Sequence, residues 1–248
     1  MHEEEKQPFT GHLDELRHRL IVCFIAVGIG FVIAYGFKDK LFLILTHPLI
    51  EVMGTGDTLI FTGLPEAFFT YLKVAFLAGL MLGSPVILYQ FWMFIAPGLY
   101  KKERRILFPI VILSTFFFVG GALFGYFIVF PYGFKFFLSF ATESIRAMPS
   151  MKEYLGFSSK LLIAFGVVFE MPLLITFLAK LGIVSIEFLK KNRKYALLLF
   201  FVGSALLTPP DVVTQIMMAL PLMILYEISI IGARLFSKRK TDNAGEET

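Results

Sequence analysis

Charged residues are scarce in this chain of 248 residues. Asp, Glu, Lys and Arg make up 17% of it, whereas 57% of the residues are hydrophobic. A soluble domain carries about 25% charged and about 45–50% apolar residues. The shortage of charge therefore excludes an ordinary soluble fold and predicts an integral membrane protein.

Cysteine and histidine, the residues that most often bind metals or act in catalysis, are also few. The single cysteine, Cys23, rules out an internal disulfide, and the four histidines form no H-E-x-x-H pattern. G-x-S-x-G, Walker and Rossmann glycine patterns are absent as well. The sequence thus predicts no metal, no cofactor and no enzyme, and an intramembrane enzyme is the least supported of the functions considered.

Long apolar runs are what the sequence has instead. A bilayer core about 30 Å thick needs about 20 apolar residues in a helix. Six runs come near this length, the last two being short, and they predict an all-α protein with six transmembrane helices. The runs are 20–37, 67–96, 106–130, 159–181, 195–207 and 213–231. We expect Pro85 to kink the second run and Pro131 to end the third. The segment 39–53, "DKLFLILTHPLIEVM", predicts an amphipathic helix broken at Pro48.

The distribution of positive charge predicts the orientation. Sixteen of the 23 Lys and Arg residues fall at one set of run ends, namely the N-terminal segment, the 101–105 loop, the 180–194 segment and the C-terminal segment. Because cytoplasmic loops collect Lys and Arg, both termini are predicted to be cytoplasmic. We expect one membrane domain, 1–235, with an N-terminal amphipathic helix at 10–19, and a disordered cytoplasmic tail at 236–248.

Two acidic residues lie near this predicted cytoplasmic surface. Glu103 is surrounded by four cations in "GLYKKERR", and Glu15 belongs to "HLDELRHRL", where Arg19 follows it at i,i+4. Glu103 could simply soften repulsion among its neighbours, and the N-terminal segment could be a salt-bridged surface helix. Alternatively, the two carboxylates could receive two arginines, whose planar guanidinium groups pair with carboxylates in bidentate fashion.

Glu170 is the strongest single signal for function. It lies near the middle of the fourth run, and Pro172 follows two residues later. A charged side chain at the bilayer centre costs about 2.5–3.5 kcal/mol on insertion scales, and such residues mark functional sites. A neutral Glu170 that ties two helices together is the structural alternative.

The short connection "TPPD" predicts a tight hairpin between the last two runs. Asp211 is placed to cap the final helix. Thr208 and Gln215 flank the turn, where they could satisfy helix ends or bond a partner helix in the membrane. Phe68 and Phe94 fit an aromatic belt at the membrane interfaces or internal packing.

Four segments together resemble a known family. "HLDELRHRL", "SPVILYQFWMFIAPGLYKKERR", "AFGVVFEMP" and "LLTPPDVVTQIMMALPLMILYE" occur in the order and spacing typical of TatC, the polytopic core of the twin-arginine protein translocase. The resemblance covers nearly the whole chain and includes the plan of six spans. It implies a concave bundle in the bacterial inner membrane that binds twin-arginine signal peptides of folded precursors at the cytoplasmic face.

The resemblance also implies roles for individual residues. Glu15 and Glu103 would accept the signal arginines, supported by Arg17 and Phe94 nearby. Pro48 and Phe68 match positions of the external cap region and the second span, and Glu170 matches a glutamate that faces the concave cavity. The hairpin residues Thr208, Asp211 and Gln215 lie in the region that would contact single-span partners.

The implied assembly contains more than this chain. The family resemblance predicts partners of the TatA and TatB type, self-association in a multimeric receptor complex, and transport driven by the proton-motive force. A different hypothesis follows from Glu170 by itself: a proton-coupled transporter of small solutes. No inverted repeat is visible in the sequence, which counts mildly against that alternative.

Overall fold

A computed structural model describes residues 9–53, 58–95, 104–142, 147–207 and 212–244. Within these ranges every regular element is a helix, and the remaining pairing is confined to isolated bridge residues such as Ile60 and Ser150. The helices are α1 (Phe9–Tyr35), α2 (Lys38–Ile50), α3 (Glu66–Ile95), α4 (Arg104–Phe124), a π-helical turn (Gly125–Val129), α5 (Phe130–Leu138), α6 (Met151–Phe169), α7 (Met171–Lys180), α8 (Ile186–Lys191), α9 (Arg193–Leu207) and α10 (Val212–Ala244). The prediction of an all-α fold is confirmed.

Five stretches in the described ranges are long and apolar enough to cross a membrane. They are Leu13–Tyr35, Glu66–Ile95, Phe108–Leu138, Met151–Lys180 and Val212–Leu235. The predicted fifth run corresponds to α9, which has 15 residues. That length is below the about 20 residues that a bilayer core requires. The helix α10 continues to Ala244, and therefore includes the first part of the segment that the sequence predicts as a disordered tail.

Two prolines lie inside helices that continue past them. Pro85 lies inside the unbroken helix α3 and cannot donate to the carbonyl of Met81. The hydroxyl of Ser84 donates to that oxygen at 2.7 Å, so the carbonyl keeps a partner. The predicted break at Pro48 is wrong, because α2 continues to Ile50. Pro48 lies in the last turn of α2, where little helix remains to be disrupted.

The third span does not end at Pro131, which corrects the prediction. The chain passes through the π-helical turn, where the backbone N–H of Phe130 donates to the carbonyl of Gly125. Pro131 then lies in the first turn of α5, where a backbone N–H is not needed, and the helix continues to Leu138.

The fourth span begins earlier than predicted and is divided in two. The hydroxyl of Ser150 accepts the N–H of Lys152 at 3.2 Å and caps α6, which therefore starts at Met151 instead of near 159. Glu170 separates α6 from α7, and Pro172 occupies the first turn of α7. The intramembrane carboxylate thus lies at a helix junction.

The chain forms two compact units. The first comprises Met1–Leu45 and Gly63–Phe116, and its main contact is between α1 and α3. A Cβ atom at Gly30 would lie 2.6 Å from the carbonyl oxygen of Gly79, and one at Gly79 would lie 2.8 Å from the Cα of Phe31. Only glycine permits this approach, which is typical of helices that pack through small residues in membranes.

The second unit comprises Thr46–Thr62 and Phe117–Thr248. Its helix α10 packs against α7, α8 and α9 around a core that includes Leu189, Tyr226, Ile230 and Ala233. The hydroxyl of Tyr226 donates to the carbonyl of Leu189 at 2.9 Å. These contacts hold the short helices α8 and α9 against the long helix α10.

Candidate functional site

Glu15 is held by a guanidinium of its own helix. Both Nε and Nη2 of Arg19 donate to the same carboxylate oxygen, Oε1, and the Nε bond measures 3.1 Å. The spacing of four residues places the two side chains on one face of α1, with the acid N-terminal to the base, which is the favourable order. About a third of the Glu15 side chain is exposed (34%), whereas Arg19 is largely buried (14%).

Arg19 also joins α1 to α3. Its Nη1 donates to the side-chain oxygen of Gln90 at 3.0 Å. The three nitrogens of one guanidinium therefore contact a carboxylate on one helix and an amide oxygen on another. We call Glu15, Arg19 and Gln90 the α1–α3 polar cluster.

Gln90 is the residue of this cluster that the sequence analysis missed. Its signal is a lone amide among apolar and aromatic neighbours in "ILYQFWMF". In a membrane helix such an amide marks an interhelical hydrogen bond. Its partner is 71 positions away in the chain, so the pattern around Gln90 does not identify Arg19.

The other residues predicted for signal binding have different positions. Arg17 is exposed on α1, and Phe94 is half-buried near the end of α3. Close to Phe94, the indole N–H of the fully buried Trp92 donates to the hydroxyl of Ser114 at 2.8 Å. This bond anchors the part of α3 that carries Gln90 and Phe94. Glu103 lies outside the described residues.

Glu170 is buried in the second unit, with 9% of its surface exposed. Its backbone N–H donates to Val167 at 3.1 Å, and its carbonyl accepts the N–H of Leu174 at 2.9 Å, so the chain turns through it without losing helical bonding. Because only 9% of Glu170 is exposed, its side chain lies within the protein, as is usual for ionisable residues inside a membrane.

Gln215 has an internal partner. Its side-chain amide donates to the carbonyl of Phe201 at 2.9 Å and links α10 to α9 near their connection. Further along the pair, Nη2 of Arg193 lies 2.7 Å from Oε2 of Glu227. Thr208 and Asp211, also predicted for this region, lie outside the described residues.

The two residues predicted for the external cap region lie in different units. Pro48 is in the second unit and Phe68 in the first. Phe68 is 56% exposed, and its ring packs edge-on against that of Phe69, with 5.6 Å between the ring centroids. Near Phe68, Glu66 accepts the backbone N–H of Gly63 at 3.2 Å and caps α3.

Among the described residues, no group of three or more His, Cys, Asp and Glu side chains could hold a metal ion.

These features define a multi-pass helical membrane protein with a carboxylate–guanidinium cluster on its first two long helices. The profile of the family described as Sec-independent protein translocase protein (TatC) matches residues 11–221. The chain belongs to the TatC family.

Relatives and solved structures agree with this membership. The chain is 69% identical over 244 residues to a Sec-independent protein translocase protein TatC from Desulforapulum autotrophicum, covering 98% of this chain and 90% of the relative. It is 42% identical over 233 residues to the TatC of Escherichia coli K12, covering 94% and 90%. A crystal structure of the twin-arginine translocase receptor TatC superimposes with a TM-score of 0.81 at 42% identity, covering 91% of this chain and 99% of that one.

Family membership settles the broad function. The protein is a membrane component of the Tat protein translocase and not an enzyme. These similarities favour the translocase over the solute transporter that Glu170 by itself would permit.

Proposed function

We propose that the protein is the core receptor of the twin-arginine translocase, which binds twin-arginine signal peptides of folded precursors at the cytoplasmic face and nucleates the translocation complex. The observation that carries the proposal is the carboxylate of Glu15, which already binds a guanidinium and is still one-third exposed. A group that pairs with an internal arginine has the chemistry to pair with an incoming one.

The second acceptor in this proposal is Glu103, with Arg17 and Phe94 beside the bound peptide. Two carboxylates would pair with two guanidiniums, and Phe94 would offer an apolar surface next to them. Gln90 joins this set because it shares the guanidinium of Arg19 with Glu15. Charged hydrogen bonds of this kind contribute about 1.5–3 kcal/mol each.

The proposed topology has six spans, with both termini in the cytoplasm and the two short final spans completing a concave bundle. The positive charges at one set of helix ends support this orientation. We propose a single membrane domain, 1–235, in the bacterial inner membrane, followed by a cytoplasmic tail, 236–248. Pro48 and Phe68 would belong to the opposite, external side.

The proposed assembly requires polar groups inside the membrane. Glu170 would face a wet cavity and take part in transport driven by the proton-motive force. The region of Thr208, Asp211 and Gln215 would receive the single helices of TatA- and TatB-type partners, and copies of the chain would associate in a multimeric receptor. In the free protein the amide of Gln215 donates to the carbonyl of Phe201, and the proposal is that a partner helix packs beside this internal link.

The test is binding of a twin-arginine signal peptide to the purified protein in detergent. Glu15→Gln and Glu103→Gln should each weaken binding by about tenfold or more, since each removes a charged hydrogen bond of about 1.5–3 kcal/mol. A twin-lysine peptide should bind the unaltered protein weakly, and added salt should weaken the twin-arginine complex.

The matched control for that test is Glu153→Gln, which removes an exposed acid from α6. It should leave the affinity unchanged. Unchanged affinity in both the Glu15 and Glu103 variants would show that these acids do not receive the arginines.

A further inference from the structure

We propose that Glu15 and Gln90 form a guanidinium-binding site that Arg19 fills in the free protein, and that an arginine of the signal peptide binds there by displacing Arg19. The inference rests on the proposed function, because it assumes that a twin-arginine signal binds at this face. It adds an internal occupant of the site and a second acceptor, Gln90.

The contacts of Arg19 describe what the site recognises. Nε and Nη2 share the carboxylate oxygen of Glu15, while Nη1 reaches the amide oxygen of Gln90 at 3.0 Å. A planar guanidinium supplies donors in these separate directions from a rigid fork. A lysine ammonium is one nitrogen on a flexible stem, so it cannot reproduce that fork. The site is therefore selective for arginine.

The position of the cluster makes exchange feasible. Glu15 is one-third exposed, so an incoming side chain can reach its carboxylate. The Glu15 end of the pair is open to water, so hydration offsets part of its attraction to the largely buried Arg19. A released Arg19 would regain water, and the visiting arginine would restore the bonds to Glu15 and Gln90. In the free protein Arg19 thus keeps the acceptors Glu15 and Gln90 aligned.

The pairing of α1 with α3 does not depend on this cluster. The two helices also meet at Gly30 and Gly79, which approach too closely to admit a Cβ atom. Gly30 lies 11 residues after Arg19 on α1, about 16 Å along the helix. Loss of the Arg19 contacts should therefore leave the helix pair assembled, and variants of Arg19 should fold.

The experiment compares the affinity of the full-length protein in detergent for a twin-arginine signal peptide. Arg19→Gln removes the internal competitor and should tighten binding about threefold to tenfold. Arg19→Lys should tighten it about twofold, because one ammonium competes less well than a fork. In the Arg19→Gln background, Gln90→Leu should weaken binding about threefold to tenfold. In the presence of Arg19 its effect should be smaller, because the substitution also weakens the hold on the internal competitor.

The control for lost charge is Arg234→Gln, which removes an exposed arginine from α10 and should leave affinity unchanged. Circular dichroism and size-exclusion chromatography check that each variant is folded. If Arg19→Gln does not fold, Arg19→Lys decides the matter by the same measurement.

The possible failures can be told apart. If the unaltered protein does not prefer the twin-arginine peptide to a twin-lysine peptide, the proposed function fails. If it does prefer it, but Arg19→Gln binds no better or binds as poorly as Glu15→Gln, the proposed function stands and the exchange is wrong. Arg19 would then be a positioning residue that orients Glu15.

Discussion

Single polar side chains carry most of the functional argument in this apolar chain. Glu15 and Glu170 are both acids of membrane-embedded or membrane-adjacent helices, but their surroundings differ. Glu15 is partly exposed and paired with Arg19, whereas Glu170 is buried at a helix junction. The first environment suits reversible pairing with a visiting cation, and the second is typical of ionisable residues with a functional role inside a membrane.

Glu170→Gln tests the second of these roles. The amide keeps the size of the carboxyl group but cannot gain or lose a proton. We expect signal-peptide affinity to stay within twofold, the free energy of unfolding to change by less than about 1 kcal/mol, and translocation of a folded precursor into inverted membrane vesicles to fall at least tenfold.

Two comparisons make the Glu170 prediction decisive. Glu153→Gln, which removes an exposed acid near the start of α6, should translocate normally. A Glu170→Gln protein that aggregates or fails to insert would assign this residue to packing, and normal translocation would remove it from the mechanism.

At the scale of elements, the contact of α1 with α3 depends on the absence of side chains. Gly79→Ala adds a single carbon, which would lie 2.8 Å from the Cα of Phe31. Because the obstacle is backbone, the helices must separate. We expect a loss of about 1–3 kcal/mol in the free energy of unfolding, measured by thermal or denaturant unfolding in detergent.

The matched control for Gly79→Ala lies in the partner helix. Gly28 of α1 has no atom within 4 Å of the position where a Cβ would be. Gly28→Ala should therefore be neutral or slightly stabilising, since alanine favours a helix by about 1 kcal/mol over glycine. Equal stability of the two variants would show that α1 and α3 do not meet closely at Gly79.

Elements also show where sequence reasoning succeeds and fails. Apolar runs predict the five long spans well, because insertion depends on the summed cost of each residue in lipid. They do not predict the start of α6 at Met151, because this depends on a cap supplied by Ser150. The effects of Pro85 and Pro131 depend on Ser84 and on the π-helical turn, neither of which a hydropathy pattern detects.

Some residues of the candidate site could be predicted from the sequence, and others could not. Glu15 and Arg19 are neighbours on one helix, and their spacing alone predicts the pair. Gln90 joins them only through packing of α1 on α3, a tertiary contact that no local pattern contains. The position of Glu170 in the fourth span was evident from the sequence, but its place between two helices was not.

The whole molecule has a charge asymmetry from which its orientation can be tested. Lys191 at the end of α8 belongs to the positive set, and Lys152 at the start of α6 is predicted to lie on the opposite side of the membrane. Both are exposed, so a cysteine at either position should react readily. The chain has one native cysteine, Cys23, and the substitution Cys23→Ser gives a cysteine-free protein that a maleimide does not label.

In that background, a membrane-impermeant maleimide should label Lys152→Cys in spheroplasts and should label Lys191→Cys only after the membrane is permeabilised. The physical reason is that Lys and Arg are retained on the cytoplasmic side during insertion. The reverse labelling would place Glu15 on the outer surface. An acceptor there could not meet a precursor before transport, so that single outcome would remove both the receptor proposal and the arginine exchange that rests on it.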